Sequence, residues 1–291
     1  MNNITAVVDA VNIITERGEA WRREHPDQEM EVCPKCLGTG LIRYYLDFDG
    51  RPISGTEPGA YEYLKPCSCV KGESQLHKNN KRFSKVPSLY KDALFGNFDV
   101  TIYKDVEADQ LAGAAKRKAE LYVENYHNME REGVGLYIWS TARGCGKSRL
   151  ASTICNELTN NGVRNKYVST NDLISEIQAS WNDDSVSEYQ VIKKYTEPRL
   201  LILDDFGARS GKSWIDDKLF QIIDDRYQDG KPTIITSNYE VERLPFNETR
   251  LIDRICDEER YENVKMPQVS VRRLKRGASA FNRIVREDKN D

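Results

Sequence analysis

Short apolar runs alternate with amphipathic stretches along most of this chain, and the alternation predicts strands separated by helices. Residues 134–139, VGLYIW, form an unbroken apolar run of the kind found in strands buried on both faces. A loop of small residues and then ASTICNELTNNG follow, so the order is strand, loop, helix. KYVST (166–170), RLLILDDFG (199–207) and KPTIITSN (231–238) predict further strands, with helical segments at 171–198 and 215–227 between them. A helix rich in Ala, Lys, Glu and Leu is expected over 106–129, ahead of the first of these strands. TRLIDRICDEERYENVKM is expected to be a helix and turn, followed by a final strand and a basic helix. This succession is that of an α/β domain with a parallel sheet flanked by helices. Near the N-terminus, residues 3–24 predict an amphipathic helix ended by His25-Pro26, and 41–48 and 61–64 predict a two-stranded ribbon.

The junction after the first apolar run carries the chemistry. Gly144, Cys145, Gly146, Lys147, Ser148 and Arg149 stand between a strand and a helix, where backbone N–H groups and a helix N-terminus can surround phosphates. There Lys147 reaches the β- and γ-phosphates of ATP, and Ser148 holds Mg2+. The pattern G-x-x-x-x-G-K-[ST] asks for glycine at 141, where this chain has Thr141, and a lone GKS also suits an ordinary strand-turn-helix corner. The strand 199–207 weighs against that corner. It ends on two carboxylates, which places Asp204 at the strand tip near Mg2+ and Asp205 opposite the attacking water, as general base or orienting group. Asn238 ends strand 231–238 at the same carboxyl edge, within reach of that water or of the γ-phosphate. Phe95 and Phe98, in the entry to this domain, can cover an adenine ring or fill the outer core.

The length of 291 residues leaves room for one large α/β domain and a small satellite. With 43 basic and 46 acidic residues the net charge is −3, so no global positive field gathers nucleic acid. Contact with DNA must be local, through basic segments such as 78–85 and 271–276. No run approaches a membrane span and the N-terminus lacks the pattern of a cleavable leader, so a cytoplasmic location without a membrane partner is expected. Of seven cysteines, four form two close pairs, Cys33 and Cys36 in CPKCLGTG, and Cys67 and Cys69 in CSC. Four thiolates around a ribbon suit tetrahedral Zn2+ in a closed structural site, which a module this small needs as a staple. The second pair is C-x-C, so His25 or His77 can stand in for one sulfur; an iron–sulfur cluster and unligated cysteines are the alternatives. The expected division is residues 1–85, helix and zinc module, and 86–291, nucleotide-binding domain.

The segments GCGKS, LLILDDFGA, WIDDKLFQIIDDRYQDGKPTIITSN, RLIDRI and VSVRR, within residues 90–280, resemble the AAA+ ATPases of the bacterial and phage replicative helicase loader type and the related helper ATPases of transposons. CPKCLGTG by itself is similar to the cysteine repeats of J-type chaperones. The resemblance implies a P-loop NTPase fold of AAA+ type and an enzyme that hydrolyses ATP. It also implies roles: Asp204 and Asp205 as the Walker B pair, Asn238 as sensor 1, and Arg254 as an arginine finger offered to a neighbour, with Arg250 as runner-up. Arg272 takes the sensor 2 position, although Arg273 beside it leaves the register open. The implied partners are a replicative DNA helicase, gripped by the N-terminal module, single-stranded DNA, and further copies of the chain in a ring or helical oligomer. A transposase helper binding duplex DNA, and a regulatory protein that holds ATP with little turnover, are the other two functions to weigh.

Overall fold

The computed structural model describes residues 41–46, 61–66, 78, 80–183, 185–208 and 213–274. The expected helix at 3–24, the four paired cysteines, and 275–291 lie outside the described residues. The chain divides into two units, 1–79 and 80–291. Residues 80–85 therefore fall within the second unit, where Asn80 Nδ2 donates to Gly162 O (3.2 Å) and Lys166 Nζ to Phe83 O (2.9 Å). In the first unit β1 (Leu41–Leu46) pairs antiparallel with β2 (Tyr61–Pro66), Leu41 opposite Pro66 and Leu46 opposite Tyr61.

The second unit opens its regular structure with α1 (Val106–Glu124), capped by Asp105, whose carboxylate accepts from Ala108 N at 2.8 Å. Its stripe of Ala108, Ala112, Ala115 and Ala119 is buried, and such small side chains let the helix lie close to its neighbours. The expected single helix breaks at Asn125, whose side chain caps α1 by donating to Leu121 O (2.9 Å), and α2 (Tyr126–Glu132) follows. Then come β3 (Gly135–Trp139), α3 (Lys147–Asn160), β4 (Asn165–Ser169), α4 (Thr170–Ser180), α5 (Glu188–Thr196), β5 (Leu200–Phe206), α6 (Ser213–Gln228), β6 (Thr233–Ser237), α7 (Thr249–Ile255), β7 (Tyr261–Lys265) and the short α8 (Val271–Leu274).

The five strands of this unit form one sheet in the order β4-β5-β6-β3-β7, every described pair parallel. Alternation along the strands sorts the core into two layers. Leu136, Ile138, Ile202 and Ile234 pack on one face against α1 and α3; Tyr137, Leu201, Leu203 and Ile235 pack on the other against α4, α5, α6 and α7. Arg226 of α6 is fully buried. Its guanidinium donates to the carbonyls of Tyr195, Thr196, Pro198 and Pro232 and to Thr233 Oγ1, tying the end of α5 to the starts of β5 and β6. Burial pushes its pKa down to about 10, which leaves it charged at neutral pH.

The strand β7 departs from expectation, since YENVK lies in a segment expected to be a turn. Only Tyr261 and Val264 of its five residues are buried, so it lacks strict alternation, and it holds its place by pairing with β3 along its whole length. The segment 171–198 is likewise two helices, separated by a turn at Trp181. From β3 the chain crosses to the far edge at β4, returns through β5 and β6, and finally adds β7 on the opposite side of β3. β3 is thus the point where the strand order reverses, and the crevice at its carboxyl end is where such sheets bind ligands.

Candidate nucleotide site

At that carboxyl end the loop between β3 and α3 turns through Gly144 (φ 77°) and Gly146 (φ 108°), a left-handed region that favours glycine. Gly146 is the N-cap of the 14-residue α3, so the first N–H groups of that helix open onto the loop. Lys147 is buried at the loop centre, its amine donating to Ser140 O (3.1 Å), Ala142 O (3.0 Å) and Cys145 Sγ (3.6 Å). Thr141, at the position where glycine was expected, is exposed and bonds through its hydroxyl to Gln268.

Two flanking segments grip the loop. On the entry side the Tyr103 phenol donates to Cys145 O at 2.6 Å, and a Cβ placed on Gly146 meets Tyr103, Met266 and Phe98. Phe98 is buried and Phe95 packs against the same cluster. On the exit side Ser140 Oγ donates to Pro267 O (2.8 Å) and Val271 N to Gly144 O (3.0 Å). The stem of Arg272 lies over Gly144, where an added Cβ meets its Cδ at 2.9 Å. Arg149 turns to the entry segment, donating to Asn97 O (2.6 Å) and Asn97 Oδ1 (2.9 Å).

The acidic strand end has a feature with no sequence signal. Between Leu203 and Phe206 the register of β5 against β6 slips, so Asp204 and Asp205 together stand opposite Thr236. Asp205 takes up the slip with φ 58°, a conformation uncommon outside glycine and better tolerated by Asp and Asn than by most residues. One consequence is that Leu203 and Phe206, an odd spacing apart, enter the same core layer. The other is that the two carboxylates aim at different groups. Asp204 Oδ1 accepts from Ser148 Oγ at 2.9 Å and from the Thr236 hydroxyl, while Asp205 Oδ1 accepts from Asn238 Nδ2 at 3.0 Å. Thr236 also accepts from Asp205 N (3.0 Å), so one hydroxyl fixes both sides of the bulge. Thr236, Tyr103 and Ser140 carry this geometry without having been singled out for it; for Thr236 the available signal was its place two residues before Asn238.

Lys147, Ser148, Asp204, Asp205 and Asn238 are therefore brought together, with Arg272 on the loop's outer side. Ser148 and Asp204 offer the hard oxygen donors that Mg2+ takes, and the loop offers N–H groups and a lysine to phosphate, so the residues present fit Mg2+–ATP. Tyr167 of β4 is buried, and its phenol is pushed up by burial and then by Asp204. Arg254 and Arg250 are engaged within the chain. Arg254 Nε donates to Asp224 Oδ1 (2.8 Å) and its guanidinium stacks over Tyr227 at 4.8 Å; Arg250 forms a fork with Glu248 (2.8 and 2.7 Å). The carboxylates that pair with them are thus Glu248 and Asp224, not the acidic residues 257–259 that follow in sequence.

A parallel sheet with a glycine-turned loop at its switch point and a metal-competent carboxylate one strand beyond its neighbour defines a P-loop NTPase. The chain belongs to the family described as IstB-like ATP binding protein, which matches residues 73–267. It is 25% identical over 199 residues to the replicative helicase loader DnaC of Escherichia coli, covering 67% of this chain and 75% of that protein. It is 29% identical over 119 residues to the replicative helicase loader DnaI of Bacillus subtilis (40% of this chain, 37% of that protein). An ATP-binding protein of an insertion sequence from Mycobacterium tuberculosis is 35% identical over 95 residues, 33% of this chain and 37% of that protein. Among solved structures, DnaI matches in fold with a TM-score of 0.51 at 22% identity, over 66% of this chain and 99% of that one. Among the described residues no helix is long and apolar enough to cross a membrane.

Proposed function

We propose that this protein is an ATP-dependent loader that places a replicative DNA helicase on single-stranded DNA. The observation that carries the reading is the bulged Asp204-Asp205 pair, one carboxylate turned to Ser148 and the other to Asn238, in a chain similar to DnaC over two thirds of its length. In this reading Lys147 and the loop amides bind the phosphates, and Ser148 and Asp204 hold Mg2+, which when bound offsets phosphate charge and orients the γ-phosphate. Asp205, positioned by Asn238, orients the attacking water and accepts its proton. Arg272 contacts the nucleotide of its own chain. Charge developing on the transferred group calls for further cations. Arg143, exposed on the loop, and Arg254 from a neighbouring copy are the candidates, so hydrolysis is tied to assembly of a ring or helix.

Residues 1–79 are assigned to helicase docking, with zinc held by Cys33, Cys36, Cys67 and Cys69. The register of the ribbon supports this reading: Leu41, which follows CPKCLGTG in sequence, lies opposite Pro66, which precedes Cys67. The decisive experiment is a loading assay with the full chain, in which purified helicase should be captured and transferred to single-stranded DNA only with ATP. Retention of a transposase and no replicative helicase points to the second reading, a transposition helper, which the insertion-sequence relative supports.

A further inference from the structure

Asp204 receives Ser148 and Thr236 on the same oxygen, Oδ1, which leaves Oδ2 without a hydrogen bond of good geometry among the described residues. On the side of β5 away from β6 lie two buried hydroxyls that are also unpartnered among the described residues, Tyr167 Oη and Ser152 Oγ. Their placement follows from the fold. Tyr167 stands opposite Ile202 in the β4–β5 register, and both face α3, so Asp204 is its diagonal neighbour two residues along the same face. Ser152 is one turn after Ser148 on α3 and covers the same spot from above. Both residues are almost fully enclosed. A buried hydroxyl without a partner is costly, and two of them lying close to the Asp204 carboxylate call for an explanation.

We propose that Tyr167, supported by Ser152, is a positioning residue that donates to Asp204 Oδ2 and fixes the carboxylate for Mg2+. The terminal torsion of an aspartate is soft, so a small rotation of the carboxylate closes the contact without moving the backbone. Held from Oδ1 by Thr236 and from Oδ2 by the phenol, Asp204 presents a single orientation to the metal bound at Ser148. The inference rests on the assignment of Ser148 and Asp204 as the Mg2+ site.

The test uses the full chain and a fluorescent, non-hydrolysable ATP analogue titrated with Mg2+ and, separately, in EDTA. Tyr167→Phe keeps the ring and removes the hydroxyl. It should raise the Mg2+ concentration for half-maximal tight binding by about tenfold, as loss of an outer-shell partner does, with unchanged affinity in EDTA and an undiminished melting temperature. An unchanged Mg2+ requirement overturns the proposal, and so does an equal loss with and without Mg2+, which marks a packing effect. Asp204→Asn separates the two levels. If it leaves the Mg2+ requirement unaltered, the metal-site assignment falls and takes the proposal with it; if it raises the requirement while Tyr167→Phe does not, only the proposal falls. Should Tyr167→Phe not fold, Ser152→Ala removes the second hydroxyl and leaves the ring alone. It is expected to raise the Mg2+ requirement in the same direction, and no change overturns the proposal.

Discussion

At Asp205 a left-handed backbone, a slipped register and a bond to Asn238 coincide, and each bears on how the residue should be tested. Strain of this kind persists where the surroundings over-determine it, and here Thr236 and Asn238 do so from the adjoining strand. Asparagine tolerates the left-handed region as aspartate does, so Asp205→Asn changes the carboxylate and leaves the bulge in place. The expected outcome is nucleotide affinity within about twofold of wild type and turnover lower by ~100-fold or more, the usual contribution of a general base. Lys147→Ala removes a buried charge from the phosphates and should abolish tight binding itself; equilibrium binding and single-turnover hydrolysis on the two variants separate these losses. Equal loss of affinity in both removes Asp205 from the water-orienting role. The identities of Asp204, Asp205 and Asn238 were legible because each stands at the end of an apolar run, where a parallel strand delivers side chains to the ligand edge, and those of Lys147 and Ser148 because they open a helix directly after a glycine-bearing loop. The role of Thr236, and the one proposed for Tyr167, were not, because they depend on which strands lie side by side and on a one-residue slip that composition does not encode.

Among the elements, β3 and β5 were plain from their apolar runs, whereas β7 was hidden. Glu262, Asn263 and Lys265 are exposed, so YENVK has neither the alternation nor the run that marks a strand, and its state is set by the partner it finds in β3. The break between α1 and α2 was similarly invisible, because Asn125 is tolerated inside a helix as well as at its end. Three glycines show how differently the same substitution acts from place to place. Gly135, at the start of β3, lies so close to β6 that an added Cβ meets Thr233 O at 1.9 Å, so only glycine permits this strand spacing. Gly133 is similarly crowded, but by the tip of Arg260, which can move, and by Gly230 O. Gly113, inside α1, has nothing within 4 Å of an added Cβ. Gly113→Ala should therefore stabilise the protein by about 1 kcal/mol through helix propensity. Gly135→Ala should destabilise it by roughly 3 kcal/mol or more, since backbone on two strands must separate. Chemical denaturation of both variants checks the contrast, and similar midpoints for the two contradict it.

For the whole molecule, two predictions concern what must come together. If Cys33, Cys36, Cys67 and Cys69 hold zinc, elemental analysis should give about one Zn2+ per chain, lost in the Cys33→Ser, Cys36→Ser variant while ATP binding persists; zinc-free folded wild-type protein ends that assignment. The second concerns Arg254, whose pairing with Asp224 admits two interpretations. One is a structural ion pair. Its arginine is about a third exposed, and pairs of that kind contribute ~0–1 kcal/mol, so either partner could be removed with a small and equal effect on stability and little on turnover. The other is a resting position from which Arg254 crosses to the γ-phosphate of a neighbouring copy, where a finger contributes on the order of 10^3–10^5 in kcat. The magnitudes are far enough apart to decide. Arg254→Ala should lose turnover by ~1000-fold with ATP affinity retained, because the contact strengthens in the transition state, whereas Asp224→Asn, which frees the arginine and otherwise touches only the bond from Gln228, should keep turnover near wild type. Mixing Arg254→Ala with Lys147→Ala should then restore part of the activity that each lacks alone, since some interfaces join an intact loop to an intact finger. Equal, small effects of Arg254→Ala and Asp224→Asn, or no recovery in mixtures shown by light scattering to co-assemble, would leave Arg254 as a structural partner of Asp224 and make Arg250, held by the fork to Glu248 and stacked over Phe220, the next residue to test.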